Sequence, residues 1–287
     1  MSKIIISIGT SLLQNLQSYD HLTEIFPKSN GNDKFLLNLQ RNMKKQTQED
    51  KTQLIQELLI TDLQKIPNLN DTHLHIFKNI TSETDGLLEF YKSNFETFIN
   101  NRKRQAIDYL PAEISSLYLY YYNVEGQEHT KRNDHDENNN DQIILLCTDT
   151  VDSVFCAKVI KEIILKCGKF SFCEFEENEI NDDQFYFKNG IAMIKNLDVY
   201  NQENWRDGLS NLNKFFKNLR PITETDIIIR TGGYKEFSTM MILLSFQYEM
   251  RTYYLFEDSI KELQSNKLDN DFDFEDYIGK LSPERRN

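Results

Sequence analysis

The stretch KIIISIGTS at residues 3–11 decides the fold of this chain. Its β-branched run, Ile4 to Ile6, stops at Gly9, which predicts a short buried strand followed by a polar turn. Two later stretches have the same form, IILLCTDT at residues 143–150 and DIIIRTGGYK at residues 226–235. In each of the three, an apolar run ends in small hydroxylated or glycine residues and leads into a predicted helix, as strands of a parallel sheet do.

The C-terminal half of the chain alternates between strand and helix patterns. The patterns predict helices near 151–166, 201–218 and 235–248, and strands at 170–175, 191–194, 226–229 and 252–256. This alternation predicts an α/β fold with a largely parallel sheet flanked by helices. We expect the N-terminal strand to join the same sheet.

Between about residues 33 and 122 the apolar residues recur at helical spacing, as in Leu54, Ile55, Leu58 and Leu59. We therefore expect residues 1–287 to form a single domain, with a mostly α-helical insertion at 20–122 after the first strand, a mobile polar loop at 126–141 and an acidic segment at 257–287. The acidic segment lacks the size and the basic charge of a winged-helix DNA-binding domain.

Composition excludes several classes of protein. The 287 residues include 33 basic and 45 acidic side chains, a net charge of −12, and 39% of the residues are hydrophobic. We expect a folded protein without general affinity for duplex nucleic acid, because that affinity needs an extended basic surface. No apolar run reaches the length of a membrane helix or of a signal-peptide core, so we expect a cytoplasmic protein without a membrane partner.

The four cysteines do not form a metal-binding pattern. Cys147, Cys156, Cys167 and Cys173 contain no C-x-x-C pair, and we expect them to be buried, reduced thiols. We expect neither a metal nor a cofactor.

Polar residues collect where three of the predicted strands end. Ligands of an open parallel sheet bind in the crevice at the carboxyl ends of the strands, so the three loops should converge on one site. The helix that follows each loop favours an anion at its N-terminus. Gly232 and Gly233 would let the backbone approach a phosphate, and Lys235 would supply positive charge. The pattern indicates a phosphorylated ligand; ordinary turn and helix-capping residues are the alternative interpretation.

Five pieces of the chain, in order, resemble the CRISPR-associated CARF-domain proteins, Rossmann-like sensors of cyclic oligoadenylate. The pieces are residues 4–15, residues 111–117, residues 145–150 with Ala157, residues 228–235 and residues 253–257. The resemblance implies a Rossmann-like CARF domain. Within that group the chain is most similar to the stand-alone ring nucleases, which bind cyclic tetra-adenylate across a homodimer and cut it without metal.

The resemblance also implies roles for particular residues. Ser11 and Lys235 match the catalytic serine and lysine of the ring nucleases. The ligand-binding positions that it implies are Gly9, Thr10, Leu12, Asn15, Thr148, Asp149, Thr150, Arg230, Thr231, Gly232, Gly233 and Tyr234. The chain departs from the family pattern at Ile229, where the family often has asparagine, and Arg230 is an unusual neighbour there.

The chemistry of such a site can be argued without the family. The 2′-hydroxyl of a ribose can attack the adjacent phosphorus, so the protein need only align the two and stabilise charge on the phosphoryl oxygens. Lysine and backbone amides suit the second task, and a serine hydroxyl suits positioning. A C2 dimer fits a ring with two-fold symmetry. One alternative is a CARF sensor that binds the ring without cutting it and regulates a partner or an activity in the helical insertion. The other is an α/β protein for another nucleotide.

Overall fold

The computed structural model describes residues 2–9, 111–120, 141–166, 170–174, 181–182, 185–197, 204–219, 221–231, 235–256 and 259–263. These residues fall into two compact units. The smaller unit holds residue 111 and residues 150–166, and the larger unit holds the rest.

Strands and helices alternate along the described part of the chain. The helices are α1 (Ala112–Leu119), α2 (Val151–Lys166), α3 (Trp205–Asn218) and α4 (Lys235–Gln247). The strands are β1 (Lys3–Ser7), β2 (Gln142–Thr148), β3 (Ser171–Phe172), β4 (Asn181–Asp182), β5 (Phe185–Lys188), β6 (Ile191–Ile194), β7 (Ile227–Arg230), β8 (Arg251–Phe256) and β9 (Ser259–Leu263). Helix α2 is the described element of the smaller unit.

The described strands form one sheet in the order β4-β5-β6-β2-β1-β7-β8-β9, with β3 paired to β2. The five central strands from β6 to β8 run parallel, and β5 and β9 add antiparallel hairpins at the two ends. Strand β1 lies in the middle, with Ile4 opposite both Ile143 and Ile227. The predicted α/β fold with a largely parallel sheet is confirmed, and it is compatible with a Rossmann-like arrangement.

Helices of the larger unit cover both faces of this sheet. Alternate strand residues point to opposite faces, and on one face Ile5, Ile144 and Ile228 join the core formed with α3 and α4. On the other face, α1 packs over β1, β7 and β8. There Tyr120 meets Tyr253 edge-to-face, with ring centroids 4.9 Å apart. A sheet buried on both faces explains why its central strands are apolar throughout.

Helix α3 packs an aromatic cluster against the end of the sheet. Phe215 lies at its centre, with ring centroids 5.6 Å from Phe185, 6.3 Å from Phe187 and 5.8 Å from Phe216. The opposite side of the helix is exposed at Lys214 and Lys217. This division between an apolar and a charged side makes α3 an amphipathic surface helix.

At the amino end of the sheet, Asp226 joins β1 to the segment before β7. This buried carboxylate accepts hydrogen bonds from the amides of Lys3, at 2.6 Å, and Thr223, at 2.8 Å. The ammonium of Lys3 lies 3.6 Å from the same carboxylate. Two amides and a cation offset the cost of burying the charge.

A tight turn at Asn189-Gly190 connects β5 to β6. Both residues have positive φ, 47° and 78°, as a two-residue type I′ hairpin requires. Gly190 also lies against β3, because a Cβ atom built on it would come within 2.6 Å of the Cβ of Phe172. Glycine is therefore needed here for its backbone conformation and for the space.

We expect Gly190→Ala to lower the free energy of unfolding by about 1–3 kcal/mol, because alanine both strains the turn and overlaps Phe172. Urea denaturation followed by circular dichroism measures this change. Asn189→Gly is the matched control, since it keeps the positive φ of its turn position without adding a side chain. An alanine variant as stable as this control would contradict the assignment of Gly190.

The number and length of the strands differ in part from those predicted. The strand predicted at 170–175 is described only as the two residues of β3, because β6 takes over the same edge of β2 from Leu145 onward. Strands β4, β5 and β9 were not predicted, and β9 lies inside the segment assigned as acidic, 257–287.

The predicted domain boundaries remain largely outside the described residues. Of the helical insertion at 20–122 the structure describes residues 111–120, which contain α1, and of the polar loop at 126–141 it describes only residue 141. Within the described ranges, no helix combines the length and the apolar character needed to cross a membrane.

Candidate functional site

The carboxyl ends of β1, β2 and β7 lie side by side. Strand β1 pairs in parallel with β2 on one side and with β7 on the other, so all three strands end at the same edge of the sheet. The residues that leave these strands are Gly9 after β1, Asp149 after β2 and Thr231 after β7. The structure thus brings together the three loop starts from which we predicted a phosphate site.

Thr231 joins the exit of β7 to the exit of β1. Its hydroxyl donates a short hydrogen bond to the backbone carbonyl of Ser7, and its amide donates to the Ser7 hydroxyl at 3.3 Å. Both residues are buried. Thr231 therefore ties the start of the β7 loop to the end of β1. Its hydroxyl hydrogen points at the Ser7 carbonyl.

The exit of β1 is also held from helix α1. The amide of Gly9 donates to the Oε1 atom of Glu113 at 2.9 Å. Glu113 is in the first turn of α1 and only 1% exposed. The amide of the preceding residue, Ile8, donates to the carbonyl of Leu146 in β2 at 2.8 Å. The Gly9 amide thus points at a carboxylate, and the ligand-binding role of Gly9 stays a prediction.

Asp149 fixes the turn that follows β6. Its Oδ2 atom accepts a hydrogen bond from the amide of Asn196 at 2.7 Å, and Asn196 has a positive φ of 62°. The side-chain amide of Asn211 in α3 donates to the carbonyl of Lys195 at 2.9 Å. Gly208, one turn earlier in α3, lies so close to the Asn196 carbonyl that a side chain there would overlap it. The end of β2 and helix α3 thus clamp this turn from two sides.

Thr148 and Thr150 lie on either side of Asp149 and differ in environment. Thr148 is the last residue of β2 and is buried. Thr150 belongs to the smaller unit, where it caps α2 by accepting a hydrogen bond from the Ser153 amide at 3.3 Å. The capping interpretation that we weighed for such loop residues therefore applies to Thr150.

Arg230, the last residue of β7, carries positive charge to this edge of the sheet. The register pairs it with Tyr254 of β8, and its guanidinium lies over the tyrosine ring at 5.7 Å. Partial burial lowers the pKa of Arg230, and the nearby Tyr254 opposes this effect. A partly desolvated guanidinium is well suited to pair with a phosphate.

Helix α4 begins at Lys235, the residue matched to the catalytic lysine. An N-terminus of a 13-residue helix presents unpaired amides and the positive end of the helix dipole. The side chain of Lys235 lies outside the described part of the structure, as do the predicted site residues Thr10, Ser11, Leu12, Asn15, Gly232, Gly233 and Tyr234. Their roles stay predictions.

Three of the four cysteines are described, and all three are buried free thiols, as predicted: Cys147, Cys156 and Cys173. Burial raises the pKa of Cys147 far above its usual value and raises that of Cys173 to about 11. A raised pKa keeps a thiol protonated and unreactive at neutral pH. Cys167 lies outside the described residues.

Reasoning from the sequence missed Ser7, Glu113 and Asn196 as residues that support the site. Each makes its contact with an element distant in sequence, and for Glu113 the separation is 104 residues. Sequence signals existed for two of them: an acidic residue in the first turn after Pro111 is typical of a helix start, and asparagine tolerates positive φ in a turn. Neither signal identifies the partner.

Comparison with known proteins adds a family match. A family model described as CRISPR-associated protein (Cas_APE2256) matches residues 110–263, which is more than half of the 287-residue chain. The match runs from α1 to β9 and includes Glu113, Asp149, Arg230 and Thr231. Among curated proteins, none matches the sequence significantly.

Proposed function

The chain belongs to this family of CRISPR-associated proteins, and from that premise we propose that it is a ring nuclease that opens cyclic oligoadenylate and so ends a type III CRISPR signal. Its preferred ring is cyclic tetra-adenylate, bound at a homodimer interface. The observation that carries the proposal is the meeting of the β1, β2 and β7 carboxyl ends at one edge of the sheet, beside a helix that begins at Lys235.

The charge distribution supports a phosphate ligand at this edge. The chain carries a net charge of −12, so an oligonucleotide must be held by a local concentration of cations and amides. Arg230 and Lys235 occupy the end of β7 and the start of α4, five residues apart in the sequence with Gly232 and Gly233 between them. Cations, glycines and a helix N-terminus together form a recurring phosphate-binding arrangement.

The proposed reaction uses a nucleophile that the substrate already contains. The 2′-oxygen of one ribose attacks the adjacent phosphorus, the bond from phosphorus to the 5′-oxygen breaks, and the proton of the 2′-hydroxyl ends on that 5′-oxygen. The product is a linear adenylate with a 2′,3′-cyclic phosphate, and no water or redox partner is consumed. In this scheme Lys235 stabilises charge on the phosphoryl oxygens, and Ser11 positions the ribose and phosphate.

The symmetry of the ligand supports a two-fold dimer. Cyclic tetra-adenylate has two equivalent halves, which two identical sites related by a two-fold axis can contact in the same way. Because the substrate is an intracellular signal, the proposal also places the protein in the cytoplasm.

The test is incubation of the purified protein with cyclic tri-, tetra- and hexa-adenylate in excess EDTA, followed by chromatography and mass spectrometry of the products. We expect conversion of the tetra-adenylate to linear adenylates ending in a 2′,3′-cyclic phosphate. Calorimetry with the same rings measures binding separately. Tight binding without conversion would select the sensor function instead, and neither binding nor conversion of any ring would overturn the proposal.

A further inference from the structure

We infer that Glu113 is a positioning residue for ring opening, which holds the exit of β1 through the Gly9 amide and so fixes the starting point of the segment that carries Ser11. The inference rests on the proposed function, because it assigns Glu113 a task in that reaction. Glu113 acts through the backbone of Gly9 and does not touch the ring.

Burial of this carboxylate calls for an explanation. A carboxylate that is 1% exposed loses nearly all contact with water, which costs free energy unless hydrogen bonds replace it. The hydrogen bond from the Gly9 amide, 2.9 Å long, is one such replacement. The position of Glu113 in the first turn of α1 is another favourable factor, because helix amides point toward that end.

Glu113 completes a set of anchors on three consecutive residues. Ser7 is bonded to Thr231 after β7, Ile8 to Leu146 in β2, and Gly9 to Glu113 in α1. Each residue at the exit of β1 is therefore held by a different element. Ser11 follows only two residues after Gly9 in the sequence, so Glu113 acts on the chain directly before the predicted catalytic serine.

The same hydrogen bond decides which amide can bind a phosphate. An amide has one hydrogen, and that of Gly9 is given to Glu113. A carboxylate behind the loop also repels an anion at that point. The phosphate is thereby directed away from the Gly9 amide and toward the start of α4, where the first turn of the helix carries Lys235.

The test compares variants of Glu113 in the full chain under the conditions of the ring-opening assay. Glu113→Ala removes the acceptor, whereas Glu113→Gln keeps an oxygen in the same place. Ser116→Ala is the matched control, since Ser116 lies one turn further along α1, is equally buried, and its hydroxyl has no hydrogen-bond partner within the described residues. Rates are expressed per folded protein, measured by circular dichroism at the assay temperature.

We expect Glu113→Ala to lower kcat about 10- to 100-fold with a much smaller change in KM, because a displaced loop loses alignment rather than affinity. Glu113→Gln should restore most of this loss, and Ser116→Ala should equal the wild type. If the alanine variant does not fold, Glu113→Asp takes its place, since it keeps the charge but shortens the reach to Gly9.

A second measurement follows the hydrogen bond itself. Labelling with carbonyl-13C isoleucine and 15N glycine selects two amides, because only Gly9 and Gly279 follow an isoleucine in the sequence. The Gly9 signal should shift in Glu113→Ala and not in Ser116→Ala, with Gly279 as the internal reference.

Two results would overturn the inference and leave the proposed function intact. In the first, the wild type opens the ring and a folded Glu113→Ala variant is equally active. In the second, Glu113→Ala and Glu113→Gln lose kcat to the same extent. A wild type that opens no ring would instead overturn the proposed function and the inference with it, and is recognised because every variant is then inactive.

Discussion

Replacing Lys235 with alanine should slow the opening of cyclic tetra-adenylate by about 10²-fold or more. Charge develops on the phosphoryl oxygens as the 2′-oxygen attacks, and loss of one preorganised charge that stabilises it typically costs this much. Single-turnover rates, measured with enzyme in excess over ring, report the chemical step directly. Lys235 is at the first position of α4, where alanine is well tolerated, so the fold should be kept.

The control for this prediction is Lys214→Ala. Lys214 is an exposed lysine of α3, and its loss removes the same charge from the chain without touching the edge of the sheet where the strands end. Its rate should equal that of the wild type. A Lys235→Ala enzyme that is as fast as Lys214→Ala would remove Lys235 from the reaction.

Phe215→Ala should lower the free energy of unfolding by about 3–5 kcal/mol. The side chain is 1% exposed and lies among three other phenylalanines, so its removal leaves a cavity that its neighbours cannot fill. Urea unfolding monitored by circular dichroism gives the value from the midpoint and slope. The effect is on stability alone, because Phe215 packs against β5 and not at the loop starts of the candidate site.

Lys214→Ala again provides the comparison, since it truncates the neighbouring residue of the same helix on the exposed side. We expect it to change stability by no more than about 0.5 kcal/mol. If the two variants unfolded at the same urea concentration, the core between α3 and the sheet would not be packed as described.

The central part of the sheet follows from local patterns in the sequence. Runs such as Ile4 to Ile6 and Ile227 to Ile229 are too short and too β-branched to be helices, and each becomes a strand. Helix α2 has the predicted bounds, Val151–Lys166. These elements are predictable because the physics that forms them acts within a few residues.

The hairpin of β5 and β6 was predictable in principle and was missed. Asn-Gly between apolar runs is a strong signal for a two-residue turn, and residues 185–194 have this form around Asn189 and Gly190. Only β6 was predicted, because the alternation of Phe185 and Phe187 with polar residues covers just four positions. The sequence signal for strand β9 is weaker still, because its five residues show no clear strand pattern. Its antiparallel pairing with β8 forms the strand.

The candidate site also has a part that could be predicted from the sequence and a part that could not. The loop starts at Gly9, Asp149 and Thr231 could be predicted, because a parallel sheet places strand ends at one edge whatever the sequence between them. Which hydrogen bonds these residues make could not be predicted. The buried Glu113 is an example, since a glutamate in a helix is ordinarily expected on the surface and its partner is 104 residues away.

The sequence resemblance covers the whole of this site, whereas the family match covers only part of it. The match over residues 110–263 includes the β2 and β7 loops and Lys235, whereas Gly9 and Ser11 lie before it. The link between the two parts is physical: Thr231 and Glu113, both inside the matched region, bond to Ser7 and Gly9 outside it. Variants of Ser11 therefore test the part of the site that the family match does not reach.

The central place of β1 also governs how the chain can fold during synthesis. Ile4 pairs with Ile227, so one side of the first strand has no partner until roughly 220 further residues have been made. At an elongation rate of about 5–20 residues per second this wait lasts about 10–45 s. Throughout that time the segment Ile4-Ile5-Ile6 is apolar and β-branched and lacks its β7 partner, and such segments favour aggregation and chaperone binding. Expression yield of this protein should therefore respond to slower translation and to holdase chaperones more than its final stability would suggest.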